Sequence, residues 1–271
     1  MFQGTNILVD ERLEEAWQTE ALFSVPESVL FDPKRDVLYV TNFDQFTRAT
    51  SGRDQYISKL SPDGEMIELQ YIDSLDNPLG MTIHKDKLYV AEKGGYAIVD
   101  LTTARVTRRI SIPEAMFPND IEVDKNGRVY ISDSRKNVVW RIVKGEAEAW
   151  LEGEEIIDPN TLRIIEGKLY VGNSGDQRLK AFDLETRDMV VIADFVPGFI
   201  DGIRPLPNNE LLVSLWDGKL YLVSADGEVE KLLDLKNQGI YIADFEYVPE
   251  TGMLYIPSFF MNKVLAYKIN W

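Results

Sequence analysis

The chain contains 271 residues, of which 45% are hydrophobic and 27% charged, and its formal net charge is −16. An acidic chain of this kind lacks the basic surface that nucleic acids require, so we expect no nucleic-acid partner. No apolar run reaches the roughly 18 residues that cross a membrane, so we expect no membrane span, and the lack of cysteine excludes disulfides.

The N-terminal part of the chain holds two predicted elements. Helical periodicity is nearly absent from the chain, and residues 10–17, DERLEEAW, are the only candidate for a helix. Residues 19–25, TEALFSV, predict a strand. The first residues do not resemble a signal peptide. We expect a soluble protein that is either cytoplasmic or exported after removal of such a peptide.

Six similar β-hairpins then follow one another along the chain. Each contains an apolar anchor in its second strand, and successive anchors lie about forty to fifty residues apart: Leu38, Leu88, Val129, Leu169, Leu211 and Leu254. Two more strands follow each of the first five hairpins. A repeat of this length with four strands is typical of a propeller blade. The sequence therefore predicts an all-β fold, a single six-bladed β-propeller domain over residues 1–271 with four antiparallel strands per blade.

The last repeat is one strand short. It ends at its third strand, residues 263–270, KVLAYKIN. We expect the N-terminal strand at 19–25 to pair with this C-terminal blade, because ring closure removes exposed sheet edges.

A polar residue precedes the first strand of most hairpins. The corresponding positions, counted back from the anchors, are Glu27, Leu79, Asn119, Asn160, Asp201 and Asp244. Because the first strand of each blade lines the central channel, five oxygen-bearing side chains should gather around one axis. The alternative is that each of these side chains only bonds the local backbone.

Carboxylate and amide oxygens without thiolates suit a hard divalent cation. Calcium is favoured, with magnesium, manganese and zinc as alternatives. Zinc is the least favoured of these because the only histidine is His84, which we expect in a turn at the opposite end of its blade.

Loops between the second and third strands should surround the mouth of the channel. They carry Arg135, Trp216 and Phe260, which we assign to substrate binding together with Asn119. Apolar walls with a few cations suit a small organic anion or ester. Ordinary packing of the aromatic residues is the alternative reading.

The segments PESVLFD, PNDIEVDKNG, DPNTL and FIDGI resemble the senescence marker protein / gluconolactonase / luciferin-regenerating family of six-bladed propeller hydrolases. The resemblance covers roughly residues 18–270. It implies that Glu27, Asn160 and Asp201 hold a divalent cation and that Asn119 binds the metal or orients the substrate. It also implies that Asp201 acts as the catalytic general base in the hydrolysis of a lactone or similar ester.

The chain departs from the family pattern at the pocket. Phe117 stands where family lactonases have an arginine that grips sugar-lactone oxygens, and Glu27 lacks the usual flanking glycines. We therefore expect an uncharged or apolar lactone to be preferred over a sugar-acid lactone.

These observations favour a metal-dependent hydrolase, a lactonase or esterase acting on a small molecule, as a monomer or weak dimer. One alternative is a non-catalytic propeller that binds a small ligand or protein partner and uses the cation as a brace. A lyase or synthase activity at the same site is another.

Overall fold

Short alternating strands and tight turns dominate the chain. The computed structural model describes residues 8–43 and 55–271, which form six antiparallel sheets, as the fold-class prediction requires. The turn at 124–127 is typical of the hairpins, since Asp124 Oδ1 accepts bonds from the backbone N–H groups of Asn126 and Arg128. Gly127 completes the turn with a φ of 80°.

The strands are numbered along the chain, and each blade is listed from its first strand onward. Before the blades come β1 (Leu8–Val9) and β2 (Leu13–Gln18). Blade one contains β3 (Pro26–Asp32), β4 (Val37–Asn42), β5 (Tyr56–Leu60) and β6 (Met66–Ile72). Blade two contains β7 (Met81–His84), β8 (Lys87–Glu92), β9 (Gly95–Asp100) and β10 (Arg105–Ser111). Blade three contains β11 (Pro118–Val123), β12 (Val129–Asp133), β13 (Val138–Val143) and β14 (Glu146–Glu152).

The second half of the ring repeats this arrangement. Blade four contains β15 (Pro159–Ile165), β16 (Lys168–Asn173), β17 (Arg178–Asp183) and β18 (Met189–Asp194). Blade five contains β19 (Ile200–Pro205), β20 (Leu211–Leu215), β21 (Lys219–Val223) and β22 (Val229–Asp234), with β1 at its outer edge. Blade six contains β23 (Glu246–Val248), β24 (Met253–Ser258) and β25 (Lys263–Ile269), and β2 is its outermost strand. Two short 3-10 helices, Pro207–Asn209 and Lys236–Gln238, lie in blade five and after it. Among the described residues, no helix is long and apolar enough to cross a membrane.

The N-terminal segment completes blade six, but with a different stretch from the one predicted. Strand β2 runs antiparallel to β25, with Leu13 opposite Ile269 and Trp17 opposite Ala266. The helix candidate at 10–17 is therefore not a helix. The prediction that residues 19–25 form the closing strand is wrong, because these residues are the connection to β3. An isolated helix of eight residues is marginal in water, whereas the open edge of β25 supplies backbone partners for residues 13–18.

The apolar cores lie between neighbouring blades. Tyr39 of blade one packs in a cluster with Val90 of blade two, and similar clusters fill the other interfaces. A separate apolar group lies at one end of the channel and is called the mouth cluster. It consists of Val25, Phe43, Leu79, Ala243 and Phe259, with Phe117, Trp216 and Tyr241 partly buried against them.

Candidate metal centre and substrate pocket

A β-bulge lies near the start of the first strand in several blades. The pairing register shifts between Pro26 and Val29, between Pro118 and Ile121, and at the matching points of β15 and β19. A bulge places two residues opposite one on the partner strand and redirects their side chains. This local irregularity turns polar side chains toward the channel axis in blades one, three, four and five.

Hydroxyl groups of the second strands support the bulges of blades one and three. The backbone N–H of Ser28 donates to Thr41 Oγ1 at 2.9 Å, and that of Asp120 donates to Ser132 Oγ at 2.9 Å. A bulge leaves an N–H without its ladder partner, and a buried N–H needs another acceptor. Sequence reasoning missed these hydroxyls, although they recur at the ends of the second strands.

The four predicted metal ligands line one cavity of about 320 Å³ at the mouth of the channel: Glu27, Asn119, Asn160 and Asp201. Asn119 is partly exposed, and the other three side chains are buried. Leu79, the apolar position of the predicted ring, also lines this cavity. Residues some forty positions apart in sequence thus meet around one space.

Asp244 does not occupy the position predicted for blade six. Ile242 pairs with Ser258, and in other blades the residue directly after the equivalent pair is the ring residue. Ala243 follows Ile242, so it takes the ring position in blade six. Counting ten residues back from Leu254 gave the wrong residue, because the turn between the first two strands is longer in blade six than in blade three. Leu254 pairs with Tyr247 across six residues, whereas Val129 pairs with Val123 across five.

Asp244 instead belongs to a second layer of polar groups next to the ring. It accepts a bond from Ser28 Oγ at 2.8 Å, and its Oδ1 lies 3.1 Å from the Arg204 guanidinium. Arg204 also bonds Glu246 at 2.9 Å, so this buried cation joins two acids. Backbone bonds from Asp244 to Glu27 and from Val29 to Asp244 join blades six and one.

Asp120 occupies the corresponding place in blade three. Its Oδ2 accepts the backbone N–H of Leu162 at 2.7 Å and lies 3.3 Å from Thr161 Oγ1. These contacts tie blade three to the strand that carries Asn160. Asp120 also lies so close to the backbone of blade two that position 80 must be glycine, because a Cβ there would lie 2.2 Å from Asp120 Oδ1.

The buried acids share an unfavourable environment. Burial, together with Asp201, Asp244 and Asp120, raises the pKa of Glu27 well above its usual value. Burial and the neighbouring acids Asp244 and Asp120 raise the pKa of Asp201 in the same direction, while an Asn160 hydrogen bond partly opposes this. Burial above all raises the pKa of Asp120 to about 8. The ring therefore concentrates negative charge that is costly to bury.

Two oxygens at the ring have no protein partner. Glu27 Oε2 and Asn160 Oδ1 are buried and accept no hydrogen bond from the described residues. Buried polar atoms are normally paired, so an unpaired carboxylate oxygen and an unpaired amide oxygen on residues that line one cavity fit a hard cation. No three His, Asp or Glu side chains within 8–43 and 55–271 come together as a metal-binding group. The ring donors are two carboxylates and two amides.

His84 lies away from this cavity. It ends strand β7 and packs against Tyr89 at a ring distance of 6.4 Å. It is half-buried rather than a freely exposed turn residue, and it is absent from the cavity lining.

Aromatic side chains form the wall of the pocket on the side of blades five and six. Trp216 lines the cavity together with Phe199 and Phe259. Its ring centroid lies 4.5 Å from that of Tyr241 and 5.7 Å from that of Phe259. Phe260 is 48% exposed and packs on Trp216 at 6.1 Å, but it does not line the cavity.

Arg135 lines the cavity from the side of blade three. Its guanidinium lies 4.7 Å from the ring centroid of Phe117, a cation–π contact. Phe117 in turn packs edge-on against Phe43 at 6.5 Å. The pocket therefore contains a positively charged side chain, that of Arg135, although residue 117 is not an arginine.

The ring residues and the hairpins that carry them lie within a matched family region. A family model described as the SMP-30/gluconolactonase/LRE-like region matches residues 25–257. The chain belongs to this family. A search of curated protein sequences finds no match.

Solved structures share the fold of this SMP-30/gluconolactonase/LRE-like chain. A gluconolactonase from Xanthomonas campestris is 16% identical with a TM-score of 0.73, covering 95% of this chain and 89% of that one. A luciferin-regenerating enzyme is 15% identical with a TM-score of 0.69, covering 98% and 95%. A streptogramin B lyase is 13% identical with a TM-score of 0.71, covering 95% and 97%. At these identities the likeness supports the propeller architecture alone.

Proposed function

We propose that this chain is a divalent-cation-dependent hydrolase of a small lactone or ester, with calcium as the favoured cation. The observation that carries the proposal is the pair of unpaired buried oxygens, Glu27 Oε2 and Asn160 Oδ1, in the cavity that Asp201 also lines. Membership of a family that includes gluconolactonases supports a lactonase-type reaction.

Each polar ring residue has a role in the proposed reaction. Glu27, Asn160 and Asp201 would hold the cation, and Asn119 would join them or orient the substrate. When bound, the cation would polarise the substrate carbonyl and stabilise negative charge on its oxygen. Asp201 would accept a proton from the attacking water and return it to the leaving oxygen. The apolar walls would keep bulk water from the reacting group.

The proposal is tested by a screen of apolar lactones, aryl esters and sugar-acid lactones, with calcium and after chelation. We expect calcium-dependent turnover of an apolar lactone or ester, with sugar-acid lactones poorer because Phe117 cannot grip their oxygens. Efficient turnover of a gluconate-type lactone with apolar lactones ignored would refute the apolar preference. Turnover that survives full removal of divalent cations would refute the metal dependence.

A second candidate is a non-catalytic propeller that binds a small ligand and uses the cation as a brace. The residue that favours it is Phe117, because the family's substrate-gripping arginine is missing there. A ligand that stabilises the protein and is recovered unchanged, with no lactone or ester turned over, would favour this reading.

A further inference from the structure

The two sides of the pocket differ in charge. In a ring of six blades, the third and sixth blades face one another across the channel. Arg135 and Phe117 belong to blade three, and Phe259 belongs to blade six beside Trp216 of blade five. Aromatic rings line both sides, but the blade-three side also carries a cation, so a molecule that spans the cavity meets a guanidinium at one end and aromatic rings without a cation at the other.

Arg135 is available to a ligand. It is the only basic residue among the described residues that line the cavity. Its guanidinium makes no ion pair or hydrogen bond with the described residues, and it packs on the face of Phe117. The exposed arginine Arg178, by contrast, is held by Asp194 at 2.8 Å. A guanidinium stacked on a ring keeps its N–H donors free for a carboxylate.

Trp216 is held rigidly on the other side. Its backbone N–H donates to the backbone carbonyl of Phe199 at 2.9 Å, and its backbone carbonyl accepts the N–H of Ile242 at 3.1 Å, while its ring packs against those of Tyr241 and Phe259. The turn that follows is tight, because a Cβ at Gly218 would lie 2.3 Å from the carbonyl oxygen of Ile240. Asp217 Oδ2 binds the ammonium groups of Lys219 at 2.6 Å and Lys236 at 2.9 Å. A rigid aromatic face of this kind suits a flat apolar group.

The geometry points to a substrate that lies across the channel, with a carboxylate at Arg135, a flat apolar group against Trp216, and the ester between them. This inference rests on the proposed hydrolase function for the reacting group. It adds one anionic group to the apolar body expected from Phe117, and it makes Arg135 and Trp216 the residues that determine specificity.

The test compares monophenyl adipate, which has an aromatic ring, a central ester and a terminal carboxylate, with the neutral phenyl hexanoate. We expect kcat/KM for the adipate to be about 10- to 100-fold higher, since a hydrogen bond to a charged group contributes that much. Arg135→Met keeps a side chain on Phe117 but removes the charge, so it should reduce the preference to within a few-fold, mainly through KM. Arg178→Met is the matched control and should retain the preference. Trp216→Leu should lower kcat/KM for both esters.

Binding of the matched anilides, adipic acid monoanilide and hexananilide, separates this inference from the hydrolase proposal. If neither ester is hydrolysed but the acidic anilide binds more tightly in an Arg135-dependent way, the inference stands, and an absence of turnover in the lactone and ester screen would then refute only the hydrolase proposal. Equal affinity for the two anilides, no binding of either, or a preference that survives Arg135→Met would overturn the inference, whatever the esters do.

Discussion

Asp201 and Glu27 offer carboxylates to the same cavity but have different tasks in the proposed reaction. Both side chains are buried and both have raised pKa values. Only Asp201 is assigned both cation binding and proton transfer. Substitutions that preserve shape should therefore separate the two tasks.

We expect Asp201→Asn to lower kcat by about 10²- to 10⁴-fold, the usual contribution of a general base. Excess calcium should not restore the lost activity, because the amide cannot accept the proton. Glu27→Gln should weaken cation binding without removing the proposed base, so we expect a higher calcium concentration to restore part of its kcat. The measurement is kcat as a function of calcium concentration for each variant.

Asp188→Asn provides the matched control, because Asp188 is exposed in a turn of blade four. This variant should behave as the parent protein does. Near-normal kcat in Asp201→Asn would show that Asp201 is not the base, even if calcium binding is weakened.

At the scale of a single element, β2 determines how the ring is completed. Leu13 is buried in the cluster between blades five and six, and Trp17 packs against Tyr255 at 5.8 Å. Trp17 also lies against Gly64 in blade one, where an added Cβ would come within 2.8 Å of the indole. This one strand thus contacts both sides of the junction between the first and last blades.

We expect Leu13→Ala to lower the free energy of unfolding by about 2 to 5 kcal/mol, the usual cost of truncating a buried leucine. Glu15→Ala, on the same strand but exposed, should change it by less than about 0.5 kcal/mol. Urea unfolding of both variants gives the comparison. Equal, small effects would mean that β2 contributes little to stability, and removal of residues 1–18 should then also leave the melting temperature unchanged.

For the whole molecule, the central question is how the channel tolerates its buried acids. The chain carries a formal net charge of −16, and Glu27, Asp120, Asp201 and Asp244 are all buried near one axis. Arg204 forms ion pairs with both Asp244 and Glu246, so one positive charge is shared between two carboxylates. Burial alone would lower the pKa of Arg204, yet Asp244 and Glu246 raise it, so this guanidinium stays charged.

We expect calcium to stabilise the folded protein specifically. At a free concentration of 100 times its Kd, a ligand that binds only the native state adds about 2.7 kcal/mol. For a protein of this size, that corresponds to a rise in melting temperature of roughly 5 to 10 °C. Thermal unfolding after chelation and after calcium addition measures the change.

Sodium chloride at matched ionic strength is the control for general screening of the acidic surface. It should reproduce little of the shift, and Glu27→Gln should reduce the calcium effect at the same concentration. An equal shift in Glu27→Gln and the parent would place the calcium effect elsewhere on the protein.

Local pattern along the chain was enough to predict the parts of the fold that depend on neighbouring residues. Alternating residues and turn signals recur with each hairpin, so the six blades and the first strands of blades one to five could be located without coordinates. Glu27, Asn119, Asn160 and Asp201 could be found for the same reason, because each lies a short, nearly constant distance from its anchor.

Features that depend on pairing between distant segments could not be predicted in this way, because they arise only in the folded chain. The strand identity of β2 comes from the open edge of β25, more than 240 residues away along the chain, and no local window contains that edge. Ala243 rather than Asp244 takes the ring position because the turn of blade six has one residue more than that of blade three. The extra residue changes which side chain faces the channel axis. The approach of Asp120 to Gly80 and the stacking of Arg135 on Phe117 likewise arise only when separate loops pack together. Local pattern specifies strands and turns, but the chemistry of the pocket depends on contacts between blades.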